Sequence, residues 1–159
     1  MSFHRTSELP MALRRGRKRE MRVQFAALPY RFEHGELKFL LITSRETRRW
    51  IVPKGWPMDG MTPSQSALIE AYEEAGVNGT AHESCIGMFN YFKRLDKKTN
   101  LNCLVMVFPI RVTRLSKDWP ERPERKRKWL GREKAARKVD DAGMAQIIRD
   151  FDPAVFPAR

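Results

Sequence analysis

Two cysteines and three histidines in 159 residues leave little material for a disulfide framework or for a zinc site built on thiolate and imidazole. Cys85 and Cys103 each sit in an apolar, strand-like run, which predicts a buried free thiol for both. His4, His34 and His82 are scattered without ligand spacing. No apolar run approaches the roughly twenty residues that cross a bilayer, and the N-terminus lacks the apolar centre of a signal peptide, so a cytoplasmic protein without a membrane partner is expected. Acidic residues are also in short supply: 19 stand against 31 Lys and Arg, a formal charge of +12. That excess implies polyanionic company, whether nucleic acid, an acidic surface or a small substrate carrying many phosphates.

Against this scarcity of acids, three of them crowd one turn. Ser66-Ala67-Leu68-Ile69-Glu70-Ala71-Tyr72-Glu73-Glu74-Ala75 reads as a helix with an alanine and leucine stripe at the three-and-four spacing. Thr62 is a good N-cap, Pro63 suits the first helical position, Gln65 completes a capping box and Gly76 supplies the stop. Glu70, Glu73 and Glu74 at i, i+3 and i+4 repel one another by roughly 0.2–0.5 kcal/mol per pair, and they sit at the negative end of the helix dipole. A solvated acidic helix end is one account. The other is a cation among the carboxylates, and with no Cys or His nearby an oxygen-liking ion, magnesium or manganese, is the one that fits.

The surroundings favour the cation. The strand-like Trp50-Ile51-Val52-Pro53-Lys54, then Gly55, fourteen intervening residues and Glu70-x-x-Glu73-Glu74-x-Gly76-Val77 resemble the signature of the Nudix hydrolases. The resemblance implies an α/β Nudix fold, an α-β-α sandwich with a mixed sheet, and a metal site of Glu70, Glu73 and Glu74 with the carbonyl of Gly55. It implies that the three glutamates are catalytic, with Mg2+ or Mn2+ as cofactor and a diphosphate as the bond cleaved. Two positions depart from it. Met61 stands where the family has a loop glutamate, and Ile69 where it has an arginine before the first metal-binding glutamate. Those two family residues pair with each other, and replacing both members of an ion pair by hydrophobes is often neutral. A Met61–Ile69 contact is therefore expected to dock the loop.

Thr43-Ser44-Arg45, Arg49-Trp50-Ile51-Val52-Pro53-Lys54-Gly55 and Arg125-Lys126-Arg127-Lys128-Trp129-Leu130 narrow the likeness to the diphosphoinositol polyphosphate and dinucleoside polyphosphate branch. It implies a polyphosphorylated small-molecule substrate gripped by Ser44, Arg45, Lys54, Arg125 and Arg127, with Lys18 and Arg22 adding to that grip. If residues 125–128 form a strand, Arg125 and Arg127 share one face, and Lys126 and Lys128 the other. A non-catalytic phosphate- or RNA-binding module is the alternative of another class. An enzyme for ordinary nucleotides or capped RNA, with Trp56 stacking a base, is the nearer rival.

Residues 1–20 read as a basic, flexible arm, 21–151 as one domain and 152–159 as a tail. Within the domain, Arg22–Glu33 and Leu37–Ile42 read as a hairpin turning at His34-Gly35-Glu36, with Pro29 arguing for a bulge or an edge. Cys85–Phe92 and Leu101–Thr113 read as strands, and 132–139 and 141–151 as helices.

Overall fold

The computed structural model describes residues 21–156. The expected arm, Lys18 included, and the last three residues of the expected tail lie outside them. Strands β1 (Arg22–Glu33) and β2 (Glu36–Thr43) form the hairpin. His34 and Gly35, both at positive φ (52° and 79°), make the two-residue turn whose twist matches the flanking strands. β3 is Trp50–Ile51, β4 Lys54–Gly55, β5 Val77–Ala81, β6 Gly87–Arg94, β7 Asn100–Leu115 and β8 Arg127–Gly131. All eight join one mixed sheet, in which β1 runs parallel to β7 and every other pairing is antiparallel.

Pro29 occupies the centre of the sheet, not an edge. One flank of β1 pairs with β4 at Phe25 and Ala26, and pairing with β2 begins only at Tyr30. Pro29 falls in the gap, where a missing N–H costs no ladder bond. Pro109 does the same on β7: β6 pairs up to Val107, β5 takes over at Ile110, and between them only the Pro109 carbonyl is used, accepting from His82 N. The two prolines lie on adjoining strands (Leu28 opposite Pro109), so the sheet changes partners at one level on both sides.

Alternation along the central strands sends their apolar side chains to opposite faces. Ala27, Leu40, Ile42, Phe108 and Ile110 meet helix α1 (Pro63–Ala75), whose Ala67, Ala71 and Ala75 are fully buried. Ala26, Leu28, Phe39, Leu41, Val105 and Val107 meet α2 (Arg132–Lys138) and α3 (Ala142–Asp150) through Ala135, Ala136, Met144 and Ile148. This is the expected α-β-α sandwich on a mixed sheet. Two local readings change. β5 is an additional strand, and β6 starts at Gly87, leaving Cys85 outside it and exposed, its thiol donating to Gly87 O at 3.2 Å. Cys103 is buried as expected. No helix among the described residues is long and apolar enough to cross a membrane.

Candidate active site

Helix α1 is fixed at both ends by the groups the sequence offers. Thr62 Oγ1 accepts from Gln65 N at 3.2 Å while Gln65 Oε1 accepts from Thr62 N at 2.9 Å, and Gly76 closes the helix at φ 68°. Within this frame the glutamates separate. Glu70 and Glu74 are buried between helix and sheet, 0% and 3% exposed, whereas Glu73 is only half-buried. Among the described residues no group of three or more His, Cys, Asp or Glu is drawn together closely enough to hold a metal, so the expected trio is a buried pair with Glu73 apart. The cause is rotation: Glu73 lies roughly 100° round the helix from Glu74.

Gly55 is what lets Glu70 in. A Cβ at residue 55 would overlap the Glu70 carboxylate, so only glycine allows β4 and this side chain to share the space.

The last turn of α1 is held by a distant segment. The carbonyl of Glu73 accepts from Glu121 N at 3.0 Å, Glu74 O from Trp119 Nε1 at 3.0 Å, Ala75 O from Arg127 Nη1 at 2.8 Å and Gly76 O from Ser116 N at 2.8 Å. Four carbonyls that a helix end ordinarily leaves to water are thus satisfied by the β7–β8 connection and the start of β8. Arg127 also stacks over the Trp119 ring, 3.9 Å from its centroid, and donates to Ser116 O. Placed by sequence at the phosphates, it is instead a cation against the negative end of the helix.

Arg125 and Arg127 do face inward and Lys126 and Lys128 outward, as the alternation requires. Arg125, its side chain 7% exposed, lies 3.2 Å from Glu74 Oε1 through Nη2. Its Nε and Nη2 both donate to Glu121 Oε1, at 3.0 and 2.9 Å, and Nη1 donates to Thr43 O at 3.0 Å. The guanidinium that sequence assigns to substrate is therefore committed to the carboxylates of Glu74 and Glu121. Lys54, half-buried on β4, sits 5.0 Å from the Tyr91 ring centroid, and Tyr91 donates to the buried Gln24. Burial pushes the Lys54 ammonium below its ordinary pKa, with Glu74 opposing.

The remaining candidates lie further out. Arg45 is 59% exposed, 3.9 Å from Glu121 and 3.8 Å from Glu124. Ser44 turns its hydroxyl into its own loop, 2.7 Å from Thr47 Oγ1, and accepts from Arg49 N. Arg22, at the start of β1, donates to the neighbouring Met21 carbonyl. Trp56 is half-exposed, with Lys93 Nζ 5.2 Å from its ring. The loop before α1 is docked by Met58, 4% exposed, its N–H on Ser66 Oγ at 3.4 Å. Met61 and Ile69, whose contact the sequence expects to dock this loop, are both half-buried.

Glu74 carries the strain of this arrangement. Burial pushes its carboxyl above the usual 4.5, opposed by Arg125, by hydrogen bonding with Glu70 and by Lys54. Its Oε2 is buried with no donor among the described residues, and a proton shared with Glu70 or a cation would satisfy it. An all-oxygen pair beside a glycine backbone fits magnesium or manganese. Because the folded state holds this proton more tightly than the unfolded one, Glu74's contribution to stability is full below about pH 4.5 and declines as pH rises through the raised folded value. Subtracting Glu74→Gln from wild type in metal-free urea unfolding should give a difference that falls with rising pH, and added magnesium should flatten it.

No protein-family model matches the chain. Among curated proteins, it is 29% identical over 119 residues to Nudix hydrolase 12, mitochondrial, of Arabidopsis thaliana, covering 73% of this chain and 59% of that protein. It is 35% identical over 119 residues to mouse diphosphoinositol polyphosphate phosphohydrolase 3-alpha, covering 74% and 64%. The chain thus spans about three fifths of the length of these relatives. Among solved structures, a C. elegans Ap4A hydrolase superposes with a TM-score of 0.60 at 24% identity, over 86% of this chain and 99% of that one, a likeness of fold. Sequence relatives, the sandwich and the glycine-to-glutamate motif agree, and the chain belongs to the Nudix hydrolase family.

Proposed function

We propose that this protein is a magnesium- or manganese-dependent hydrolase that cleaves a diphosphate linkage in a highly phosphorylated small molecule, a diphosphoinositol polyphosphate or a dinucleoside polyphosphate. The observation that carries the reading is the buried, donorless Glu74 oxygen beside Glu70, at a backbone position where Gly55 alone leaves room. The names of two relatives, the diphosphoinositol polyphosphate phosphohydrolase and the Ap4A hydrolase, support the substrate class, and so does the +12 charge.

Glu70 and Glu74, with the Gly55 carbonyl and Glu73 from the rim, would hold the ion, which supplies neutralisation of the diphosphate charge and a water acidic enough to attack phosphorus. Lys54 brings a half-desolvated ammonium to the same place. Arg45, exposed and held only loosely by two carboxylates, is the guanidinium free to turn to distal phosphates, with Ser44 beside it. Arg125 keeps Glu74 oriented. In the reaction one phosphoanhydride P–O bond breaks, water supplies the new P–O bond, and its protons leave on the two phosphate products. Residues 21–151 are taken as the catalytic unit, working in the cytoplasm without a membrane partner.

A panel of diphosphoinositol, dinucleoside polyphosphate, nucleotide and capped-RNA substrates, each with and without magnesium, tests this. Magnesium-dependent cleavage of either of the first two is expected, read as inorganic phosphate from the diphosphoinositol and as a pair of mononucleotides from the dinucleoside polyphosphate. Binding without turnover, weakening steeply with salt, would instead leave a phosphate- or RNA-binding module.

A further inference from the structure

We infer that Glu121 is a positioning residue of the carboxylate pair, acting through Arg125 to set how strongly that guanidinium holds Glu74. The inference rests on reading Glu70 and Glu74 as the metal-holding pair.

Glu121 is fixed twice. Its main-chain N–H is bonded to the Glu73 carbonyl in the last turn of α1, and its carboxylate, 14% exposed, takes two bonds from Arg125 on a single oxygen. Helix, connection and guanidinium are therefore tied together through this one residue. Arg125 Nη2 is shared between two acids, 2.9 Å from Glu121 and 3.2 Å from Glu74, and leans towards Glu121. Thr43 O on β2 secures the opposite nitrogen. Arg45 approaches Glu121 from the solvent side at 3.9 Å, too far and too exposed to replace Arg125.

Dividing the guanidinium matters because an ion pair strengthens as water is excluded. An undivided Arg125 would close on Glu74, and a metal would have to displace it. With Glu121 drawing off part of the charge, Arg125 steadies Glu74 and leaves it able to accept a divalent ion. Groups that orient a ligand from outside the coordination sphere typically alter metal affinity 10–100-fold.

The test uses the full chain, metal-free, as wild type, Glu121→Gln and Glu121→Asp. Manganese uptake is followed by electron paramagnetic resonance of the free ion, and the Arg125 Nε–H signal by 15N NMR before metal is added. Glu121→Gln keeps the shape and loses the charge; Glu121→Asp keeps the charge and withdraws it by one carbon, and it reports in place of Gln if that variant fails to fold. Both should shift the Arg125 signal and weaken manganese binding by about tenfold, at the low end of the outer-shell range. In turnover the loss should appear in the metal concentration for half-maximal rate and not in KM for substrate. Manganese binding equal to wild type, with the Arg125 signal shifted, overturns the role of Glu121 and leaves the metal site standing. A wild-type protein that takes up no manganese defeats the reading of the pair itself, and this inference with it.

Discussion

Glu74→Gln is expected to remove nearly all magnesium-dependent turnover while leaving the fold intact. A direct ligand should cost more than the 10–100-fold typical of an outer-shell group, so a loss beyond about 100-fold is the threshold. Stability should hardly suffer. Glutamine fills the same volume, relieves the burial that raises the Glu74 carboxyl, and ends its repulsion with Glu121. Arg125 is not stranded, because Glu121 still accepts two of its bonds. Phosphate release and a circular dichroism melt, read together, check both halves. Turnover undiminished in a folded variant would mean that the metal site is misplaced. Glu73→Gln gives the comparison: from its half-buried position it should cost less than Glu74→Gln.

Helix α1 was legible in the sequence because its signals are local. Thr62, Pro63, Gln65 and Gly76 need no tertiary partner to act as caps. The division of the three glutamates is subtler, yet its signal was present. Ala67, Ala71 and Ala75 mark the packed stripe; Glu70 and Glu74 border it, and Glu73 lies further round.

What sits at the helix's C-terminal end was not legible. Ser116, Trp119, Glu121 and Arg127 reach carbonyls more than 35 residues earlier in the chain, and no local pattern announces a bond from a main-chain or side-chain donor to so distant a carbonyl. Alternation paired Arg125 with Arg127 and Lys126 with Lys128, but did not show that a carboxylate and a helix end await the first two. β5 escaped notice for another reason. Val77-Asn78-Gly79-Thr80-Ala81 carries weak strand propensity, and its register with β7 shifts at Gly79, where a Cβ would run into the Arg111 carbonyl. The crowding of acids that suggested a metal has a second answer in these contacts, since Arg125, Lys54 and Arg127 supply positive charge to the same turn from outside the helix.

That second answer makes Arg125→Met the sharpest test of stability. The substitution leaves Glu74 buried and Glu121 half-buried without their shared cation, and breaking a buried pair in this way typically costs about 3–5 kcal/mol. Since a domain's whole stability is about 5–15 kcal/mol, urea unfolding of the metal-free variant should show a large fall in midpoint. Magnesium should recover part of the loss, because an ion at Glu74 replaces the guanidinium there and does nothing for Glu121. Arg125→Lys should fall between, keeping the charge and losing the fork that spans both acids and Thr43 O. An arginine serving only to grip substrate would behave differently: its loss would raise KM and shift stability by no more than about 0.5 kcal/mol, as surface changes do. An unfolding midpoint unchanged in Arg125→Met would therefore return Arg125 to the substrate and remove the link between Glu121 and Glu74.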